Sequence, residues 1–161
     1  MKAIQTFLLG VVLLISSLTF AADQFPLGPN PQMTPGALCE NSQDRRYKEN
    51  IIYCNRNVDS SLKNQIIADY DQQFGFSIRQ MNRQDFKIDH FIPLSIGGAN
   101  SKENLWPQHK SVYTITDPLE QELSNKMIEG KILQAEAVRV IREAKLNLGR
   151  VPELIDYVHG L

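Results

Sequence analysis

The sequence predicts a small α+β domain in which helices surround one β-hairpin. Apolar residues recur at helical spacing on both sides of a central stretch. Within that stretch, two short β-compatible runs, FKIDHFIPL and NLWP, flank a loop that contains the adjacent pair Gly97 and Gly98. A chain of 161 residues suits one domain with a single sizeable core.

The first helix is predicted from Asp59 to Gly75. Asp59, Ser60 or Ser61 can cap its start, and Gly75 can end it in a left-handed conformation. The apolar residues of this segment fall on one face: Leu62, Ile66, Ile67, Tyr70 and Phe74.

The hairpin is predicted from the two β-compatible runs. Pro93 suits the end of the first strand, because proline cannot donate to a sheet ladder. The loop SIGGANSKE carries two glycines that can adopt positive φ. The run NLWP returns as the second strand.

The chain after the hairpin predicts several helices. A short one is expected to open at Pro107, and a second to start at Asp117, with Pro118 in its first turn. Glu120 completes a capping box with Asp117, so we expect a structural role for it rather than metal binding. The buried stripe of this second helix, which Gly130 ends, comprises Leu119, Leu123 and Met127.

A further helix is predicted from Lys131 to Leu146, with Gly149 closing it, and Pro152 can open a short last helix. The residues expected to face inward are Leu133, Ala137, Ile141 and Ala144.

The N-terminus predicts export. Lys2 precedes the apolar run FLLGVVLLISSLTF, and small residues offer a cleavage site after Ala21 or Ala22. Residues 1–21 are therefore expected to be a signal peptide, the alternative being a retained anchor, and the mature protein to be periplasmic or secreted without a membrane contact. Residues 22–37 carry four prolines and predict an irregular lead-in rather than packed structure, which leaves 38–161 as the domain.

Cys39 and Cys54 are the only cysteines. In an oxidising compartment they predict a disulfide, and closing a loop of about 15 residues contributes roughly 3 kcal/mol in the chain-entropy model. Two buried free cysteines are the alternative reading.

The charge balance does not indicate a nucleic-acid binder, because the formal net charge is −1. Between Arg45 and Lys110, however, ten Lys and Arg residues stand against seven Asp and Glu residues. A modest basic surface in the middle of the chain is compatible with this distribution.

Four residues of the hairpin region are candidates for chemistry. Asp89 offers a hard oxygen ligand for a divalent ion, and the adjacent His90 can accept a proton near neutral pH. Neighbours on a regular strand point to opposite faces, so both serve one site only if the strand end bends. Asn104 can hold the imidazole, hold the loop or bind the ion. His109 can complete the metal site, or it is a surface histidine at a helix start.

The run DHFIPLSIGGANSKENLWPQH, from Asp89 to His109, resembles the motif of HNH (ββα-metal) endonucleases. It is similar in particular to an exported bacterial branch with a DHxxPL…GG…NLWPQ pattern, and the motif core spans residues 86–116. The resemblance implies that His90 is the general base, Asn104 the central asparagine, and Asp89 and His109 the metal ligands. His109 follows Asn104 by only five residues, a shorter gap than many members show, and the Cys-x-x-Cys zinc pair of many members is missing.

This resemblance implies a metal-dependent endonuclease that acts on DNA, with RNA as a further substrate class, and uses one divalent ion. Mg²⁺ is the expected ion, with Mn²⁺ or Zn²⁺ as alternatives. Arg83, Lys87 and Lys110 are candidate phosphate contacts. The alternatives are a catalytically inactive DNA-binding module of the same fold and an exported structural or interaction protein stapled by its disulfide.

Overall fold

The computed structural model describes residues 24–161, so the predicted signal peptide lies outside the described residues. These residues form an α+β domain with two small antiparallel hairpins and four helices. The strands are β1 (Arg45–Arg46), β2 (Ile51–Ile52), β3 (Phe86–His90) and β4 (Leu105–His109). The helices are α1 (Ser60–Phe74), α2 (Lys110–Glu129), α3 (Gln134–Leu146) and α4 (Val151–His159).

The predicted hairpin is present as β3 and β4. The antiparallel register places His90 opposite Leu105, Asp89 opposite Trp106 and Phe86 opposite His109. The second strand therefore continues two residues beyond Pro107, where the sequence predicted the start of a helix. Residues 91–104 connect the two strands.

Helix α1 has the predicted bounds. Asp59 Oδ1 accepts a hydrogen bond from Leu62 N at 2.8 Å, and Gly75 ends the helix with φ of 72°. Ile66 and Tyr70 are fully buried. They belong to a core cluster that also contains hairpin residues such as Trp106.

The structure corrects the prediction of two helices separated at Asp117. Helix α2 is continuous, with Pro118 in its interior. An internal proline removes one backbone hydrogen bond and costs about 3 kcal/mol. The helix nevertheless continues because its apolar stripe is buried on both sides of the proline, and burial of each large apolar side chain contributes about 1.5–3 kcal/mol. The buried residues of α2 are Val112, Thr116, Leu119, Leu123 and Met127.

Helix α3 starts three residues later than predicted. Leu133, expected to face inward, is the N-cap residue and is 61% exposed, because the chain turns before the helical stripe begins. The other inward residues, Ala137, Ile141 and Ala144, are buried as predicted. Pro152 lies in the first turn of α4, also as predicted.

Two core clusters meet at the start of the β3–β4 loop. One joins α1 to the hairpin and includes Phe91. The other joins α2, α3 and α4 and includes Ile92 and Ile96. Adjacent side chains just after His90 are thus buried in different clusters, which fixes the end of β3.

The proline-rich lead-in is irregular, but it packs against the domain instead of standing free. Thr34 is fully buried and donates to Leu105 O at 3.1 Å. Asn30 N donates to the Tyr70 hydroxyl at 3.0 Å, and the Phe25 ring stacks on His109. The lead-in is therefore attached to α1 and to the hairpin by these contacts.

The predicted disulfide is confirmed: Cys39 and Cys54 are bonded. None of the helices within residues 24–161 is long and apolar enough to cross a membrane.

Candidate functional site

Asn104 closes the β3–β4 loop at its base. Its side-chain oxygen accepts from Ile92 N at 2.8 Å, and its Nδ2 donates to Ile92 O and to Ala99 O, each at 2.9 Å. All three bonds go to backbone groups of residues 91–104. Of the roles that the sequence left open for Asn104, the structure shows the one that holds the loop.

The Gly97-Gly98 pair is required by two different constraints. Gly97 has φ of 93°, which disfavours other residues. A Cβ on Gly98 would lie 1.8 Å from Ile92 O and 2.8 Å from Asn104 Nδ2. The glycine therefore permits the close approach that lets Asn104 bind both sides of the loop.

His90 is buried at the end of β3, with 3% of its surface exposed. Its Nε2 lies 3.1 Å from Asn100 Oδ1, and Asn100 Nδ2 donates to Asn55 O at 2.7 Å. The imidazole is thus held by Asn100, and not by Asn104, for which this contact was one of the roles that the sequence left open.

The environment of His90 favours the neutral imidazole. Burial lowers its pKa below the ordinary value of 6.5, and the charges of Arg56 and Lys145 act in the same direction. The hydrogen bond with Asn100 and the charge of Asp89 oppose the shift without cancelling it. His90 is therefore able to accept a proton at neutral pH.

Asp89 faces a fully buried lysine. Lys145 Nζ, on α3, lies 3.2 Å from Asp89 Oδ2 and donates to His90 O at 2.6 Å. The same ammonium lies 2.6 Å from Glu120 Oε1 on α2. Lys145 therefore joins the end of β3 to α2 and α3.

The pKa values of this cluster move in the directions that stabilise the ion pairs, except at Glu120. Burial would lower the pKa of Lys145, but Asp89 and Glu120 outweigh it and raise that pKa. Burial would raise the pKa of Asp89, but Lys145 and Lys87 lower it. For Glu120, burial prevails over Lys145 and the pKa is raised.

Asp117 completes a group of three carboxylates. Oxygen atoms of Asp89, Asp117 and Glu120 lie within 4.8 Å of one another, and no other such group of metal-ligand side chains occurs in the part of the chain that the structure describes. Lys87 Nζ lies 2.9 Å from both oxygens of Asp117 and 3.7 Å from Asp89 Oδ2. The continuity of α2 brings Asp117 and Glu120 to this cluster, so the capping box predicted for Glu120 does not form.

His109 is not part of this cluster. It pairs with Phe86 at the opposite end of the hairpin from His90, about 13 Å along the strand. Its ring stacks on Phe25 with 3.9 Å between centroids, and its Nδ1 caps α2 by accepting from Ser111 N at 3.2 Å. The structure thus separates His109 from Asp89, its predicted partner in metal binding.

The three candidate phosphate contacts already have protein partners. Arg83 donates to Phe86 O at 2.5 Å, Lys110 Nζ lies 2.8 Å from Asp85 Oδ1, and Lys87 is bound to Asp117. Lys110 has 55% of its side chain accessible and Lys87 has 35%.

Sequence reasoning missed Asn100, Asp117 and Lys145 as parts of the site. Lys145 had a detectable signal, because it follows Ile141 by four residues on the buried stripe of α3, where a charge requires partners. Asp117 was assigned to a cap because of the following proline. Asn100 had no signal beyond its place in a polar loop.

No protein-family model, curated protein or solved structure matches this chain.

Proposed function

We propose that the protein is an exported, metal-assisted endonuclease of the HNH type that hydrolyses phosphodiester bonds in DNA, with RNA as a further substrate class. His90 takes the proton from the attacking water, and Asp89 is the principal metal ligand. The single observation that carries the proposal is the buried imidazole of His90, which is held by Asn100 and follows the carboxylate of Asp89 at the end of a hairpin strand.

The donor set fits a hard divalent ion such as Mg²⁺. Asp89, Asp117 and Glu120 supply carboxylate oxygens within 4.8 Å of one another, and oxygen is the ligand that Mg²⁺ and Mn²⁺ prefer. When bound, the ion would neutralise charge on the phosphate and the leaving oxygen. In this proposal Asp117 and Glu120 replace His109 as partners of Asp89.

The chain's own residues supply the remaining functions. Asn104 holds the loop, so the end of β3 keeps its position during the reaction. Arg56, whose charge acts on His90, and the exposed Lys110 contribute positive charge for the phosphate backbone. The near-neutral net charge favours a substrate affinity of modest size without sequence selectivity.

A nucleic-acid-binding module without cleavage is the competing function. The observation that favours it is Lys145, whose buried ammonium already balances Asp89 and Glu120. An internal cation of this kind reduces the attraction of the cluster for a metal ion.

A plasmid assay separates the two functions. We expect mature, oxidised protein to nick supercoiled plasmid with Mg²⁺ or Mn²⁺ and to be inert with EDTA. His90→Ala should lower the cleavage rate by about 10²–10⁴, because a general base typically contributes a factor of this size.

His109→Ala is the matched control, and it should leave the metal dependence intact because His109 lies at the far end of the hairpin. Binding of DNA without cleavage under every metal would favour the binding module. A folded wild-type protein that neither binds nor cleaves any polynucleotide would contradict both functions.

A further inference from the structure

We infer that the Cys39–Cys54 disulfide acts on His90 through the backbone carbonyl of Asn55 and the side-chain amide of Asn100. In this arrangement Asn100 is a positioning residue that selects the imidazole tautomer. The inference rests on the proposed function, in which His90 accepts a proton. It adds the identity of the accepting atom, Nδ1, and a covalent support for its orientation.

The hydrogen bonds determine the proton positions one after another. Asn55 O is a backbone carbonyl and accepts only, so the group of Asn100 that lies 2.7 Å from it must be the NH₂. The other end of the amide, Oδ1, therefore faces His90 Nε2 at 3.1 Å. An oxygen acceptor requires a donor, so Nε2 carries the proton, and in the neutral imidazole Nδ1 is free to take one.

The disulfide holds the segment that carries Asn55. Cys54 immediately precedes Asn55 and is bonded to Cys39, whose backbone N donates to Gly97 O at 2.8 Å. Asn55 Nδ2 adds a second attachment by donating to Asp44 Oδ2 at 2.6 Å. Residues 53–59 have no helix or strand of their own, so the disulfide ties this segment covalently to Cys39, which is hydrogen-bonded to the loop of Asn100 at Gly97.

A cavity of about 330 Å³ lies beside the series of contacts from Cys54 through Asn55 and Asn100 to His90, which we call the relay. Both cysteines and Asn100 line it, together with Asn41 and Ser101. The open space gives the Asn100 amide room to rotate once Asn55 moves, and water in the cavity can then compete for His90 Nε2. Loss of the disulfide should therefore allow His90 to populate both neutral tautomers.

The charged groups that act on His90 are Asp89, its neighbour on β3, Arg56 beyond Asn55, and Lys145 on α3. None of them bonds to the ring, among the hydrogen bonds of residues 24–161. Asn100 is thus the contact that distinguishes the two ring nitrogens.

The test is a long-range ¹H–¹⁵N spectrum of the histidine rings at pH 7.5, recorded with the plasmid assay. We expect wild-type His90 to carry its proton on Nε2 alone. Asn100→Ala should give a mixture of tautomers and a cleavage rate lower by up to about tenfold, the worth of one hydrogen bond. Asn41→Ala, which alters the same cavity without touching His90, should keep the wild-type tautomer.

Two further variants keep the inference falsifiable if Asn100→Ala is unstable. Asn100→Asp presents an acceptor oxygen to Nε2 in either orientation of its carboxylate, so it should retain the Nε2 proton. The Cys39→Ser/Cys54→Ser double variant, and the wild-type protein reduced with dithiothreitol, should resemble Asn100→Ala.

An unchanged Nε2–H tautomer in both Asn100→Ala and the reduced protein would overturn the inference, because a purely structural disulfide changes thermal stability without changing the tautomer. The spectrum does not depend on catalysis. The predicted tautomer changes in a protein that cleaves nothing would support the relay and count against the proposed nuclease.

Discussion

Lys145 has an unusual environment for a lysine. Its side chain is fully buried, and its ammonium reaches two carboxylates and one backbone carbonyl. Desolvation of an ammonium costs several kcal/mol, so its partners must be in place for the domain to fold around it. A substitution of Lys145 therefore tests whether its ammonium contacts Asp89 and Glu120.

Lys145→Met should lower the free energy of unfolding by about 3–5 kcal/mol, because it removes the ammonium that balances the buried Asp89 and the partly buried Glu120. Urea denaturation measures this loss. Lys131→Met is the matched control: Lys131 pairs with Glu129 on the surface, where both side chains are 49% exposed, and should change stability by less than about 1 kcal/mol. Equal losses for the two variants would contradict the buried cluster.

His90 and Asp89 illustrate what the sequence predicts at the level of residues. Their types and adjacency led to the proposed chemistry, and alternation along a strand raised the question of whether they share a site. The structure gives them different partners, Asn100 for His90 and Lys145 for Asp89. These partners come from residues 10 and 56 positions away, so no local pattern specifies them.

The β3–β4 loop is the element that sets the geometry of the site. Asn104 binds backbone groups on both sides of it, and Gly98 supplies the space in which this happens. The motif residues from Asp89 to His109 therefore include Gly98 and Asn104, which build the loop, as well as Asp89, which lies in the acidic cluster.

Gly98→Ala should destabilise the protein by about 1–3 kcal/mol, since the added Cβ would overlap Ile92 O and force the loop to shift. Gly149→Ala is the control, because its Cβ would meet only a side-chain oxygen of Asn147, at 3.3 Å. Thermal unfolding of the two variants measures the difference. A Gly98→Ala protein as stable as wild type would show that Asn104 does not clasp the loop as described.

Helix boundaries were predictable where local signals agreed with burial and failed where they disagreed. Asp59 and Gly75 bound α1 as predicted, because cap chemistry and apolar periodicity coincide there. At Asp117-Pro118 the local signal was a helix start, yet tertiary burial of α2 on both sides overrode it. Because α2 is continuous, Asp117 and Glu120 lie beside Asp89 instead of forming the predicted capping box.

The whole molecule holds the hairpin between two groups of helices. Helix α1 packs on it through one core cluster, while α2, α3 and α4 form the other, and the lead-in covers the far end at His109. The fold class, the hairpin, the disulfide and three helix positions followed from the sequence. The arrangement of charges between β3, α2 and α3 did not, because it depends on how distant segments meet.

The charge distribution of the whole molecule is compatible with the proposed action on nucleic acid, although the net charge is near zero. Its lysines and arginines near the hairpin are largely paired with carboxylates, as in Lys87 with Asp117 and Lys110 with Asp85. Exchange of such partners for phosphates makes binding sensitive to salt. Substrate affinity is therefore expected to be modest and to fall as ionic strength rises.

His90 is the proton acceptor of the proposed reaction, and the pH dependence of single-turnover plasmid cleavage tests this role directly. A base is active when unprotonated, and burial lowers the pKa of His90, so the acid limb of the wild-type profile should have its midpoint below 6.5. Folded His90→Ala should retain little activity and lack this limb. A His90→Ala protein that cleaves at the wild-type rate with an unchanged pH profile would contradict the central claim.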